Sequence, residues 1–179
     1  VLNGHDDLAD FLGSFAETGH FLIARFRQMR GVVRDGSGLL GVLGDLADAV
    51  IASGFKGRVL AGHCCSLAAM GDADARRTIE RVADAGIAIV SLPMCNLYLQ
   101  DRRRDRTTPR WRGVTLLHEM AARGIPVCVA SDNTRDPFYA YGDLDMLEVY
   151  RMATRILHFD HPVADWPKTV AATPAEVMR

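Results

Sequence analysis

Residues 72–91 read Asp-Ala-Asp-Ala-Arg-Arg-Thr-Ile-Glu-Arg-Val-Ala-Asp-Ala-Gly-Ile-Ala-Ile-Val-Ser, and this stretch decides the fold. Asp72 to Ala85 predicts a helix with Asp72 at its N-cap, Ile79 and Val82 turned inward and Gly86 at its C-cap. The run Ile87 to Ser91 that follows is apolar at almost every position, as in a strand buried on both faces. The same order recurs downstream: a helix from Gly113 to Arg123, Gly124, then a strand from Pro126 to Ser131. Upstream, Arg58 to Gly62 is a further strand of this kind, preceded by a helix from about Gly44 to Ser53 that Gly54 closes. A longer helix is expected from Asp143 to Leu157, with Met146, Leu147, Val149, Met152 and Ile156 on its packed face. Apolar strands alternating with helices predict an α/β protein of βαβ units around a parallel sheet. Toward the N-terminus, Leu8, Phe11, Leu12, Phe15, Leu22, Ile23 and Phe26 predict a helix over Asp6 to Arg30, and the Gly-rich stretch from Gly31 to Gly44 predicts a loop.

Composition limits the partners. The 179 residues carry 21 Lys+Arg against 22 Asp+Glu, so no charge excess points to nucleic acid or an anionic membrane. With 49% hydrophobic residues, an intrinsically disordered chain is excluded and one domain with a substantial core is expected. No apolar run approaches the roughly 18 residues of a membrane span. The opening at Val1, followed by acidic residues from Asp6, predicts no signal peptide. Cys64, Cys65, Cys95 and Cys128 show no CxxC spacing, which favours reduced thiols and a cytoplasmic protein.

In parallel α/β folds the chemistry lies at the carboxyl ends of the strands. Here those ends lead into His63, into Pro93 and Asn96, and into Asp132. A His and an Asp at neighbouring strand ends suit a mononuclear metal hydrolase: the carboxylate binds a divalent ion, and the imidazole holds or protonates a polar group. Each also has a plain reading, His63 as a hydrogen-bonded loop residue and Asp132 as an Asx-turn or helix cap. The segment from Gln100 to Arg112 carries six Arg and reads as a solvated loop or an active-site lid. Three consecutive ligands cannot converge on one ion, so Cys64 and Cys65 beside His63 are expected in the core.

From Gly57 onward the order of short motifs resembles the cytosine deaminase branch of the amidohydrolase superfamily. The pieces are Gly62-His-Cys-Cys-Ser-Leu-Ala-Ala-Met70, Pro93 with Asn96-Leu-Tyr-Leu-Gln100, and Pro109-Arg-Trp-Arg-Gly113. Ser131-Asp-Asn-Thr-Arg-Asp-Pro-Phe-Tyr139, Gly142 with Met146-Leu147, and Ala172-Thr-Pro-Ala175 follow in turn. The resemblance implies a (β/α)8 barrel that hydrolyses amino groups from heterocyclic rings by attack of metal-activated water. It implies that His63 is the sixth-strand His that assists the water, and that Asp132 is the eighth-strand metal ligand and proton shuttle. Asp136 and Phe138 then line the substrate pocket, Gln100 borders it, and one divalent metal, zinc or iron(II), is the cofactor. The expected partner is a small heterocyclic substrate, and a homo-oligomer is expected.

The family also uses a His-x-His pair on its first strand and a His followed three residues later by Glu on its fifth, and neither pattern occurs in this sequence. Residues 57–179 are accordingly expected to be the last three βα units of an incomplete barrel, with 1–56 a helical and Gly-rich segment of undefined relation to it. Two other readings stay open: hydrolysis of an N-substituted or cyclic amide on the same scaffold, and a catalytically incomplete half-barrel that acts through oligomerisation.

Overall fold

The computed structural model describes residues 22–25, as backbone, and 41–179 apart from 104 and 111. Four strands form one parallel sheet in the order of the chain: β1 (Leu22–Arg25), β2 (Val59–Gly62), β3 (Ala88–Ser91) and β4 (Val127–Val129). Leu22 pairs with Val59, Leu60 with Ala88, and Ile89 with Val127. Strict sequential order without a switch point is the winding of a barrel rather than of a doubly wound sheet. Among the described residues six α-helices accompany the strands: α1 (Val42–Ser53), α2 (Asp72–Asp84), α3 (Pro93–Leu99), α4 (Leu117–Ala122), α5 (Met146–Leu157) and α6 (Ala172–Val177). Among the described residues no helix is long and apolar enough to cross a membrane.

The two helix-to-strand repeats close alike. After α2, the Gly86 N–H donates to the Ala83 carbonyl and the Ile87 N–H to that of Val82; after α4, Gly124 donates to Ala121 and Ile125 to Met120. This paired pattern is the Schellman stop, and it puts the glycine in the left-handed region, with φ of 65° at Gly86 and 76° at Gly124. Each strand therefore leaves its helix at the same angle. Asp72 lies inside the first turn of α2 rather than capping it, because Gly71 holds the N-cap position. There its charge still favours the helix dipole.

Because the strands are apolar on both sides, both faces of the sheet are used. Val59, Ala61, Ile89, Val127 and Val129 face the helices and share one core with Leu46 of α1, Val82 of α2, Leu117 and Met120 of α4, and Val149 of α5. The alternate residues, Ala88 and Cys128, bury against Val177 of α6, with Leu60 and Val90 half-buried beside them. Arg58 fastens α6 in place by donating from Nη1 to the carbonyls of Glu176 (2.8 Å) and Val177 (3.3 Å). Burying a side chain such as Ile89, which has no exposure, stabilises by about 1.5–3 kcal/mol.

Several local expectations differ from the structure. Residues 22–25 form strand β1 rather than part of a helix: a run as short as Leu22-Ile-Ala-Arg25 satisfies both periods, and ladder pairing with β2 decides between them. The rest of the expected N-terminal helix, and most of the Gly-rich loop, lie outside the described residues. α4 starts at Leu117, not Gly113, because Leu116 turns to a ψ of 66° and no side chain caps the start. α3 was expected to be loop, and Pro93 starts it at a position where a missing N–H costs nothing. Met146 and Leu147 were expected on the packed face of α5, yet they are 40% and 59% exposed. They occupy its first turn, which Asp145 caps by accepting from the Leu147 N–H at 2.8 Å, and the packed stripe begins at Val149 and continues through Ala153 to Leu157.

Candidate active site

The backbone ladder ends by turning sharply at the two predicted strand ends. The His63 N–H still donates to the Val90 carbonyl at 3.1 Å, and that of Ala130 to Ser91 at 3.1 Å. The next turns use positive φ at non-glycine residues, 67° at His63, 51° at Cys64 and 65° at Asp132. Such conformations cost about 1–3 kcal/mol each and persist where surrounding contacts hold them. Here they point two side chains at one another. His63 Nε2 stands 3.7 Å from Asp132 Oδ2, with side chains 15% and 19% exposed. That separation is too long for a hydrogen bond and suits two groups that share a third.

α3 supports the pair from behind. Asn96, with no exposure, places Oδ1 2.7 Å from His63 Nδ1. Its neighbour Cys95 is equally buried, and its thiol lies beside the Asp132 carboxylate. Burial, and then the nearby Asp132 charge, push the Cys95 thiol up to about 12, so it stays protonated. Burial also pushes the Cys65 thiol up to about 12 and raises Cys64 further, which makes both the inert core residues the sequence predicts.

The remaining predicted site residues occupy two segments beside the pair. Gln100 ends α3, only 3% exposed, and neither of its amide atoms has a hydrogen-bond partner of standard geometry among the described residues, although it lies near enough to the Cys65 thiol to lower its pKa. Asp136 spends its carboxylate on its own loop. Oδ1 accepts from the Phe138 and Tyr139 N–H groups at 2.8 Å each, and Oδ2 accepts from the Asn133 amide. The Asn133 bond, and then the backbone donors, hold the Asp136 carboxyl below its usual 3.8. Asp136 therefore shapes the loop that presents Phe138, which is 62% exposed.

Sequence reasoning gave no role to Cys95 or Asn96, nor to an aromatic cluster next to them. Tyr98 of α3 meets Tyr139 and Tyr141 edge to face, with ring centroids 5.2 and 5.3 Å apart, and Arg102 lies 4.1 Å over the Tyr98 ring. The Arg-rich segment is tied down here: Asp101 accepts from Arg103 and from the Arg110 N–H, and Arg112 donates to the Leu97 carbonyl. Tyr98 and Tyr139 lie within the quoted motifs and Tyr141 between two of them, but only the fold brings the three into contact.

A divalent ion in a catalytic site takes about three protein donors and keeps one place open. Among the described residues no group of three or more His, Cys, Asp or Glu could hold one. Asp132 and His63 fit a part of such a set, an anionic oxygen and an imidazole nitrogen facing one gap.

Comparison with known proteins agrees with this geometry. The amidohydrolase family model matches residues 29–179. Pterin deaminase of Rhizobium rhizogenes (strain K84 / ATCC BAA-868) is 62% identical over 133 residues, which are 74% of this chain and 30% of that protein. The 5-methylcytosine deaminase from Klebsiella pneumoniae liganded with 5-fluorocytosine superposes with a TM-score of 0.79 at 22% identity, over 98% of this chain and 42% of that one. N-isopropylammelide isopropylaminohydrolase from Burkholderia multivorans ATCC 17616 gives a TM-score of 0.74 at 18% identity, over 97% and 40%. The chain thus spans less than half the length of these proteins, and its sheet is part of a barrel. It belongs to the amidohydrolase family.

Proposed function

We propose that the full protein deaminates a small N-heterocyclic compound hydrolytically, with pterin the first substrate to try. The observation that carries this reading is the 62% identity to a pterin deaminase across the segment that holds both His63 and Asp132. Water adds to the ring carbon that bears the amino group, the C–N bond breaks, and ammonia leaves. Asp132 takes the proton of the attacking water and passes it toward the leaving amino group, while His63 Nε2 accepts a hydrogen bond from the hydrogen that remains on that oxygen and orients it as the new C–O bond forms. Gln100 offers its open amide to the edge of the heterocycle, and Phe138, on the loop that Asp136 shapes, covers the ring.

One divalent metal, zinc or iron(II), completes this reading, held by Asp132 together with ligands from the other strands. When bound it supplies the acidification of water that makes a nucleophile near neutral pH. Strands β1–β4 are then the last four of an eight-stranded barrel. The protein works in the cytoplasm with its thiols reduced, as a homo-oligomer.

The test is ammonia release from pterin and from cytosine by the full protein. Release from either, at a turnover well above background, is the expected result. No release from any N-heterocyclic amine would leave the non-catalytic half-barrel in its place.

A further inference from the structure

We propose that Asn96 is a positioning residue that fixes the ring hydrogen of His63 on Nδ1, so that Nε2 faces Asp132 as a bare acceptor. The proposal rests on the reading that His63 works in the hydrolytic site. Its physical basis lies in three placements. Asn96 is held rigidly: it has no exposure, it sits in the first turns of α3, and its N–H donates to the Leu92 carbonyl at 2.9 Å. Its Oδ1 can only accept, so at 2.7 Å the hydrogen between it and Nδ1 belongs to the imidazole. A neutral imidazole has one such hydrogen, which leaves Nε2 with a lone pair.

That lone pair faces Asp132 Oδ2 across 3.7 Å. Two acceptors at this spacing do not bond to each other; they leave a place for a donor common to both, such as a water or the N–H of a substrate. Without Asn96 the carboxylate would draw the hydrogen to Nε2. His63 would then donate directly to Asp132, and the gap would close with both groups spent on each other. Cys95, the residue before Asn96, sets its buried thiol beside Asp132. One turn of α3 therefore borders both partners.

Imidazole 15N NMR of the full chain in metal-free buffer at about pH 8, above the ordinary His range, reads the tautomer directly. The His63 signals are identified by their loss in His63→Gln. The expected result is hydrogen on Nδ1 in the wild type and a switch to Nε2 in Asn96→Leu, with the other histidine signals unchanged. In the active enzyme the same substitution lowers kcat by about 10–100-fold, as outer-shell losses do, with less effect on KM. A wild-type His63 that carries its hydrogen on Nε2, or on both nitrogens, overturns the proposal, and so does an Asn96→Leu ring that keeps Nδ1–H. If Asn96→Leu fails to fold, the wild-type tautomer still decides. Deaminase activity plays no part in the tautomer measurement, so inactivity with Nδ1–H in place would count against the functional reading alone.

Discussion

Asp132→Asn lowers kcat for deamination by about 10²–10⁴-fold and leaves the fold intact. The loss follows from what the amide cannot do: it has the shape of the carboxylate but takes no proton and binds a divalent ion poorly, and general acid–base groups contribute rate factors of this order. Asn suits the test because position 132 has a φ of 65°, a left-handed conformation that Asn tolerates and most side chains do not. Steady-state kinetics with circular dichroism checks both halves of the statement. Activity within about threefold of wild type would remove Asp132 from the reaction.

Phe159→Ala is expected to destabilise the protein by about 3–5 kcal/mol, the usual range for deleting a buried aromatic ring. Phe159 is 1% exposed and lies flat on Trp166, with centroids 4.2 Å apart and planes 2° from parallel. The His118 ring meets both edge to face, at 5.6 and 4.6 Å, and His118 Nε2 bonds the Leu157 carbonyl. The ring thus links α4, the end of α5 and the turn before α6. Against a typical total of about 5–15 kcal/mol, such a loss brings the protein close to unfolding. Urea denaturation measures it, and a change under about 1 kcal/mol would show that the cluster collapses onto the vacancy.

The barrel-like part of the fold is legible because its signals are local. A glycine after each helix and an apolar run after each glycine specify where strands β3 and β4 begin, and the Schellman hydrogen bonds at Gly86 and Gly124 show why. β1 is not legible on its own, since Leu22-Ile-Ala-Arg25 becomes a strand only through its ladder with Val59–Gly62. Phe159 follows the last periodic helix and has no pattern to announce it. The site divides in the same way. His63 and Asp132 follow from the rule that chemistry sits at strand ends and from the order of motifs. Asn96 and Cys95 act through contacts between residues 33 and more apart, which no spacing encodes. Met146 and Leu147 show the converse: their helical period is right, but the packed stripe starts only at Val149.

The most direct measurement of the central claim is ammonia release from pterin by the full protein before chelation, after it, and after one equivalent of zinc or iron(II) is returned. Loss of activity with the metal and its recovery with one ion per chain is the predicted result. Undiminished turnover in metal-free protein would contradict the assignment of Asp132 to a metal-dependent hydrolytic site.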